Sequence, residues 1–215
     1  MFVRNHMSSP VITINDDTPF QEALKTMREN KFRRLPVVDK KGRLVGIVAE
    51  RDLLYASPSP ATTLSVWEMN YLLSKIKIRD VMTRKVITTT PDSTIESAAN
   101  LMITHKVGGL PVVDGDKLVG IITETDIFKT LVEVFGGDQA GLRLALEVPR
   151  KRGVLADLAR TIFEAGGYII SVGSFPIPEK PETDGLVIKV KDVSREQLVG
   201  ALEKLGDRVV DTREV

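Results

Sequence analysis

Short apolar runs and helical stripes follow one another along this chain in an order that occurs twice. Val11-Ile12-Thr13-Ile14 is a β-branched run that predicts a strand. Thr18 can cap a helix with Pro19 at its first position, where the missing N–H costs nothing. Phe20, Ala23, Leu24 and Met27 then recur at helical spacing. Leu35-Pro36-Val37-Val38 and Leu44-Val45-Gly46-Ile47-Val48 are near-continuous apolar strands, joined by the turn sequence Asp39-Lys40-Lys41-Gly42, and a further helix is predicted from Glu50. The order returns in Val86-Ile87-Thr88-Thr89, in Ile95, Ala98, Ala99 and Met102, and in Leu110-Pro111-Val112-Val113. It closes with Leu118-Val119-Gly120-Ile121-Ile122 and a helix from Glu124. The offset is 75 residues at Leu35/Leu110 and 74 at Leu44/Leu118, because the second turn, Asp114-Gly115-Asp116-Lys117, is one residue shorter. A duplicated unit with one apolar face buries that face against its own copy. The cleft between two such copies is a natural place for a ligand.

Between the copies, Ser57-Pro58-Ser59-Pro60-Ala61 reads as a loop and 64–73 as an apolar-rich helix, with Trp67 packed inward. After Gly136-Gly137-Asp138 the pattern changes. Residues 142–148 alternate as a half-buried strand, and Gly153-Val154-Leu155 opens an amphipathic helix with Leu155, Leu158, Ala159 and Ile162 inward. Gly166-Gly167 stops that helix. A strand at 168–173, a loop carrying Pro176, Pro178 and Pro181, a strand at 186–190, a helix at 195–205 and a strand at 208–211 complete βαββαβ, a ferredoxin-like plan. The expected divisions are 1–57, a connector at 58–77, 78–135 and 140–215.

Composition narrows the function without choosing it. The 215 residues are 42% hydrophobic, and 30 basic residues nearly balance 29 acidic ones, so no overall field draws the chain to nucleic acid or an anionic membrane. Zero cysteines remove disulfides, thiol catalysis and cysteine-ligated metals, in keeping with a reducing compartment. The first residues lack the apolar core of a signal peptide. No uncharged apolar run approaches the roughly 18 residues of a membrane span. A cytoplasmic location is expected. His6 and His105 have no partner at metal-ligand spacing, so no metal site is expected. Neither a Ser/His/Asp set, nor a carboxylate pair in a recognisable motif, nor a P-loop occurs, which points away from an enzyme.

The leucine-proline-aliphatic strand ending in Asp39 and Asp114, and the Gly-aliphatic-aliphatic-Thr-x-x-Asp segment at 120–126, resemble the CBS domain. Two adjacent copies resemble a CBS pair, or Bateman module, which implies a disc with two pseudo-symmetric clefts for adenosyl ligands. On that resemblance Asp126 and Thr123 hold ribose and the sugar-phosphate junction, with Thr83, Val86, Gly109 and Pro111 around the base. Free helix N–H groups at the strand-to-helix turn also favour an anion. Arg33 and Arg34 stand where the second copy has Gly108 and Gly109, and Arg51 stands where it has Thr125. In CBS pairs these positions commonly contact phosphate, a task that suits the guanidinium fork. The reciprocal cleft, with Val11, Pro36 and Asp52, is expected to be the weaker site, because Ala49 replaces the threonine. Against this, an aspartate just before a helix is often a cap, and paired arginines are often a solvated surface.

The strand-loop-Gly-Val-Leu-helix start of the last region resembles an ACT domain, a regulatory module that often binds amino acids. Arg150 and Arg152 replace the Asp and Pro of that family's loop, and Tyr168 replaces its frequent Asn, so dimerisation or partner docking is expected here. A CBS pair, a Trp-containing connector and an ACT-like unit together resemble AcuB-type proteins, associated with acetoin utilisation. The expected function is a non-catalytic regulator that binds an adenine nucleotide (AMP, ADP or ATP) between its CBS copies and passes the signal to a homodimer or a partner protein. The alternative is an amino-acid sensor working through the ACT-like unit.

Overall fold

A computed structural model describes residues 1–56 and 65–215. The loop expected at 57–61 lies outside the described residues. The chain divides into two compact units, Met1–Ile127 and Phe128–Val215.

In the first unit, β1 (Ile14–Asn15), α1 (Phe20–Asn30), β2 (Arg34–Val38), β3 (Leu44–Ala49) and α2 (Glu50–Ala56) form the earlier copy. After α3 (Val66–Lys75) and the single turn α4 (Ile78–Val81), the later copy consists of α5 (Ile95–His105), β4 (Gly109–Asp114), β5 (Lys117–Thr123) and the start of α6 (Glu124–Val134), whose residues from Phe128 onward belong to the second unit. Each copy centres on an antiparallel pair, β2 with β3 and β4 with β5, in matching register: Pro36 faces Ile47 and Pro111 faces Ile121. The first strands are shorter than predicted. β1 keeps two residues, parallel to β2, and its counterpart is a single bridge between Thr89 and Val112. Pro19 is the N-cap of α1 and Thr18 makes no cap bond, whereas Thr94 caps α5 by accepting from the Ser97 N–H. Both helices end at a left-handed lysine, Lys31 and Lys106.

The two copies are interlocked through their lead-in segments. Val3 is fully buried among Ile95, Ala98, Met102, Leu110, Val112 and Ile122 of the later copy. Ile78 and Met82, in the lead-in of the later copy, are buried among Phe20, Met27, Leu35, Val48 and Leu53 of the earlier one. Paired backbone bonds fix both crossings: Ser8 exchanges bonds of 2.9 and 3.1 Å with Ile121, and Thr83 bonds of 2.9 and 3.0 Å with Ile47. Gly46 and Gly120 permit the approach, since a Cβ there would strike the sulfur of Met82 or Met7.

Trp67 does not pack inward. It is 86% exposed, as Tyr71 one turn later is 63% exposed, while Leu73 packs on the first core. Residues 67 and 71 share one face of α3, and Leu73 falls on another. A capping box between Ser65 and Glu68 holds the helix start, and the Ser65 hydrogen bonds keep the Glu68 carboxyl below its ordinary range.

The second unit runs β6 (Leu142–Pro149), α7 (Val154–Glu164), β7 (Tyr168–Pro176), β8 (Thr183–Lys191), α8 (Arg195–Lys204) and β9 (Arg208–Glu214). The sheet is antiparallel, in the order β7-β8-β6-β9. Alternate residues of β6 and β8, from Leu142 to Val148 and from Leu186 to Val190, bury one sheet face against Leu158, Ile162, Leu198 and Leu202 of the two helices. Of the stripe expected for α7, Leu158 and Ile162 are buried, with Val154 beside them, whereas Leu155 is 53% exposed and Ala159 is exposed. A 3.6-residue period starting at 154 rather than 155 accounts for the difference. Among the described residues no helix is long and apolar enough to cross a membrane.

Candidate functional site

A cleft of about 440 Å³ opens in the first unit where the two copies meet. From the earlier copy it takes Arg33 and Arg34 at the entry to β2, Ile47 and Ala49 at the end of β3, and Glu50, Arg51 and Asp52 in the first turn of α2. The crossing segment contributes Thr83, Lys85, Val86 and Ile87, and the later copy Lys106 to Gly109 and Glu124. Backbone bonds hold these pieces in place. The Glu50 N–H donates to Arg33 O at 2.9 Å, and the equivalent Glu124 N–H donates to Gly108 O at 3.3 Å.

Asp52 folds back on its own helix start, where its Oδ2 accepts from the Ala49 N–H at 3.0 Å. Asp126 does the same more completely, its Oδ2 accepting from the Thr123 N–H at 2.8 Å and from Thr123 Oγ1 at 2.7 Å. Both carboxylates therefore serve as helix caps, and Asp52 also lines the cleft.

The cationic side chains outnumber the acidic ones. Arg33, Arg34, Arg51, Lys85 and Lys106 line the cleft, against Glu50, Asp52 and Glu124. Among the described residues none of these eight forms an ion pair with another. The Arg34 side chain lies over Gly108 and Gly109, its own counterparts in the repeat. A Cβ at Gly108 would collide with the guanidinium and sit 2.6 Å from Glu124 Oε2. These glycines are what let the arginine cross to the other copy. The arrangement can hold an anion and, through Asp52, accept from hydroxyl groups beside it.

The structure regroups the residues expected from sequence. Arg33, Arg34, Arg51, Thr83, Val86, Gly109 and Asp52 line one cleft; Asp126, Thr123 and Pro111 do not line it, nor do Val11 and Pro36. Thr83 and Val86 stand with Asp52, not with Asp126, because their segment crosses to the earlier copy. The segment that crosses to the Asp126 copy carries Ser8, 75 residues before Thr83. The buried prolines, Pro36 and Pro111, sit in the strand pairs. Lys85, Ile87 and Lys106 were missed. The repeat offset marks their counterparts, but no residue in the sequence says which copy a lead-in joins. Among the described residues no three His, Cys, Asp or Glu side chains gather to hold a metal ion.

Comparison with known proteins agrees with the repeat. A family profile for the CBS domain matches residues 3–59 and 78–133. The CBS domain pair of protein MJ0100, solved with 5'-methylthioadenosine and S-adenosyl-L-methionine, is 32% identical with a TM-score of 0.52, over 65% of this chain and 98% of that one. CBSX2, solved with AMP, is 29% identical with a TM-score of 0.51, over 62% and 97%. A Vibrio cholerae protein assigned to acetoin utilisation (AcuB) is 30% identical with a TM-score of 0.54, over 64% and 95%. With both copies matched, across more than half of its length, the chain belongs to the CBS-domain family and carries its domain as a tandem pair.

Proposed function

We propose that this protein is a non-catalytic regulator that binds an adenine nucleotide in the cleft between its CBS copies. The observation that carries this reading is the set of five cationic side chains, without ion-pair partners among the described residues, gathered around Asp52. Unneutralised cations in a confined cleft attract phosphate more strongly than the same groups spread over a surface. Asp52 accepts from the ribose, Ile47, Thr83 and Val86 flank the base, and Arg33, Arg34 and Arg51 meet the phosphates together with Lys85 and Lys106. Neighbours of similar fold bind AMP, or 5'-methylthioadenosine and S-adenosyl-L-methionine, which supports an adenosyl ligand. The cations favour the phosphate-bearing members of that class. Thr123 and Asp126 form the second, pseudo-symmetric half-site.

Because the cations come from both copies, a bound phosphate favours the arrangement that brings them together. That difference in affinity is what a regulator needs. In this reading the protein acts in the cytoplasm as a homodimer and conveys ligand binding to its own assembly or to a partner protein. The third region serves as an ACT-like, ferredoxin-like module, and the likeness to AcuB makes acetoin utilisation the first pathway to test. Titration calorimetry with AMP, ADP and ATP tests the site. Asp52→Ala and the Arg33→Ala/Arg34→Ala pair each weaken nucleotide binding at least tenfold, and Asp126→Ala weakens it less. Unchanged affinity in all three variants removes the assignment.

A further inference from the structure

The second unit carries a feature that nucleotide binding leaves unexplained. Its sheet buries one face under α7 and α8. On the opposite face, one rung across all four strands reads Ser171, Lys189, Arg143 and Arg213, each directly opposite the next. Three cations abreast on neighbouring strands repel one another and weaken the pairing unless something neutralises them. Asp211 serves Arg213, accepting from its Nε at 2.8 Å, and lies 3.7 Å from Arg143 Nη1, beyond hydrogen-bond reach. Lys189 is 4% exposed, and among the described residues its ammonium has one acceptor, Gly136 O, at 2.8 Å. A lysine has three N–H donors, and a buried charge without a counterion is costly.

Two of these cations, Arg143 and Lys189, border an apolar groove. Its volume is about 640 Å³, and Leu131, Val132, Phe135, Phe175, Val187 and Val215 supply its apolar lining beside Arg143, Ser171 and Lys189. The Phe135 ring lies on Gly173, where a side chain would displace it. Phe175 remains 48% exposed and Leu131 52%. Among the described residues no Asp or Glu side chain lines the groove. A groove of this size, apolar with a few polar groups along one side, has the make-up of a small-molecule site.

We infer that this face binds a small amphiphilic monocarboxylate, its head between Arg143 and Lys189 and its hydrocarbon tail along Phe135, Phe175 and Val187. A carboxylate accepts charge-assisted bonds from both cations and relieves their repulsion. An amino acid fits less well, because among the described lining residues no Asp or Glu side chain receives its ammonium. The site is separate from the CBS cleft and does not depend on the nucleotide reading.

Octanoate is the probe, with octanol, octylammonium and leucine as controls, titrated into the full chain while amide chemical shifts are followed. Octanoate should shift groove residues at least tenfold more tightly than octanol, and octylammonium and leucine should leave the groove unshifted. Arg143→Gln, at a side chain 38% exposed and compatible with folding, should weaken octanoate at least fivefold and leave octanol unchanged. Phe175→Ala should weaken both. Lys189→Met matches Arg143→Gln if it folds, and Arg143→Gln decides the matter if it does not. Equal binding of octanoate and octanol, indifference to Arg143→Gln, leucine binding in the groove, or shifts located elsewhere each overturn the inference.

Discussion

The two CBS copies share a backbone and differ in charge, and the difference shows how a duplication divides labour. At the entry to the second strand the earlier copy has Arg33-Arg34 and the later one Gly108-Gly109. The first pair supplies cations, and the second supplies the space that Arg34 occupies. At the strand-to-helix turn, the Asp52 carboxylate accepts from the Ala49 N–H, and the Asp126 carboxylate accepts from the Thr123 hydroxyl as well as its N–H, because Thr123 brings a hydroxyl where Ala49 brings a methyl. The carboxylate with the fuller cap, Asp126, is not the one that lines the cleft with the arginines. The complete motif and the cationic cleft thus fall to different halves of the pair.

The exchange of lead-in segments gives this contrast its largest test. Ile78→Ala removes a fully buried side chain from the first core, although residue 78 opens the second copy. Stability should fall by about 2–5 kcal/mol, with hydrogen exchange accelerating first in α1, β2 and β3. Val3→Ala should do less, having fewer atoms to lose, and should deprotect α5, β4 and β5 instead. The reverse pattern of protection would break the interlocked description.

Next in size, Arg34→Gly makes the earlier copy resemble the later one. Nucleotide affinity should drop about tenfold, or about 1.4 kcal/mol, and the remaining affinity should depend less on salt. Gly108→Ala should give a smaller loss of the same kind by pushing the Arg34 guanidinium aside, and calorimetry at two ionic strengths checks both. Exchanging the cap residues sharpens the second contrast. Thr123→Ala should cost about 1 kcal/mol through the lost bond to Asp126, and Ala49→Thr should recover part of that for Asp52, as denaturant midpoints will show.

The turns offer the mildest test. Asp39 accepts from the backbone and side chain of Arg43, bonds that hold its carboxyl below the usual range. The shorter turn has Asp114 followed by Lys117 at the matching strand start. A lowered folded pKa means that stability is present above the unfolded value of 3.8 and is lost as pH falls through the folded one. Asp39→Asn should therefore destabilise slightly at neutral pH, and the difference from wild type should close below that window. A difference that persists in acid would assign the effect to packing.

Much of this was legible in the residues. Apolar runs gave the β2/β3 and β4/β5 pairs, because a buried strand needs little besides continuous apolar character. Alternation gave β6, and the duplicated Leu-Pro-Val-Val-Asp gave the register. Periodicity failed where several phases fit equally: the stripe of α7 began one residue earlier, and Trp67 turned outward although apolar residues surround it in sequence. The site was legible as a set of residues but not as a grouping. Thr83 and Val86 look the same in sequence whether they cross to the earlier copy or stay with the later one. Only backbone pairing to Ile47 decides, and such pairing leaves no mark in composition.

The interlock also bears on synthesis. A ribosome that has delivered the earlier copy alone has not yet delivered Ile78 and Met82, so that copy's core stays open until the next stretch emerges. Val3, made first, waits almost a hundred residues for Ile95 and Val112. The nascent chain thus carries apolar surface for most of its translation, the condition under which chaperones are recruited. Neither half can mature ahead of the other, and a gene trimmed to one repeat would leave a protein with part of its interior missing.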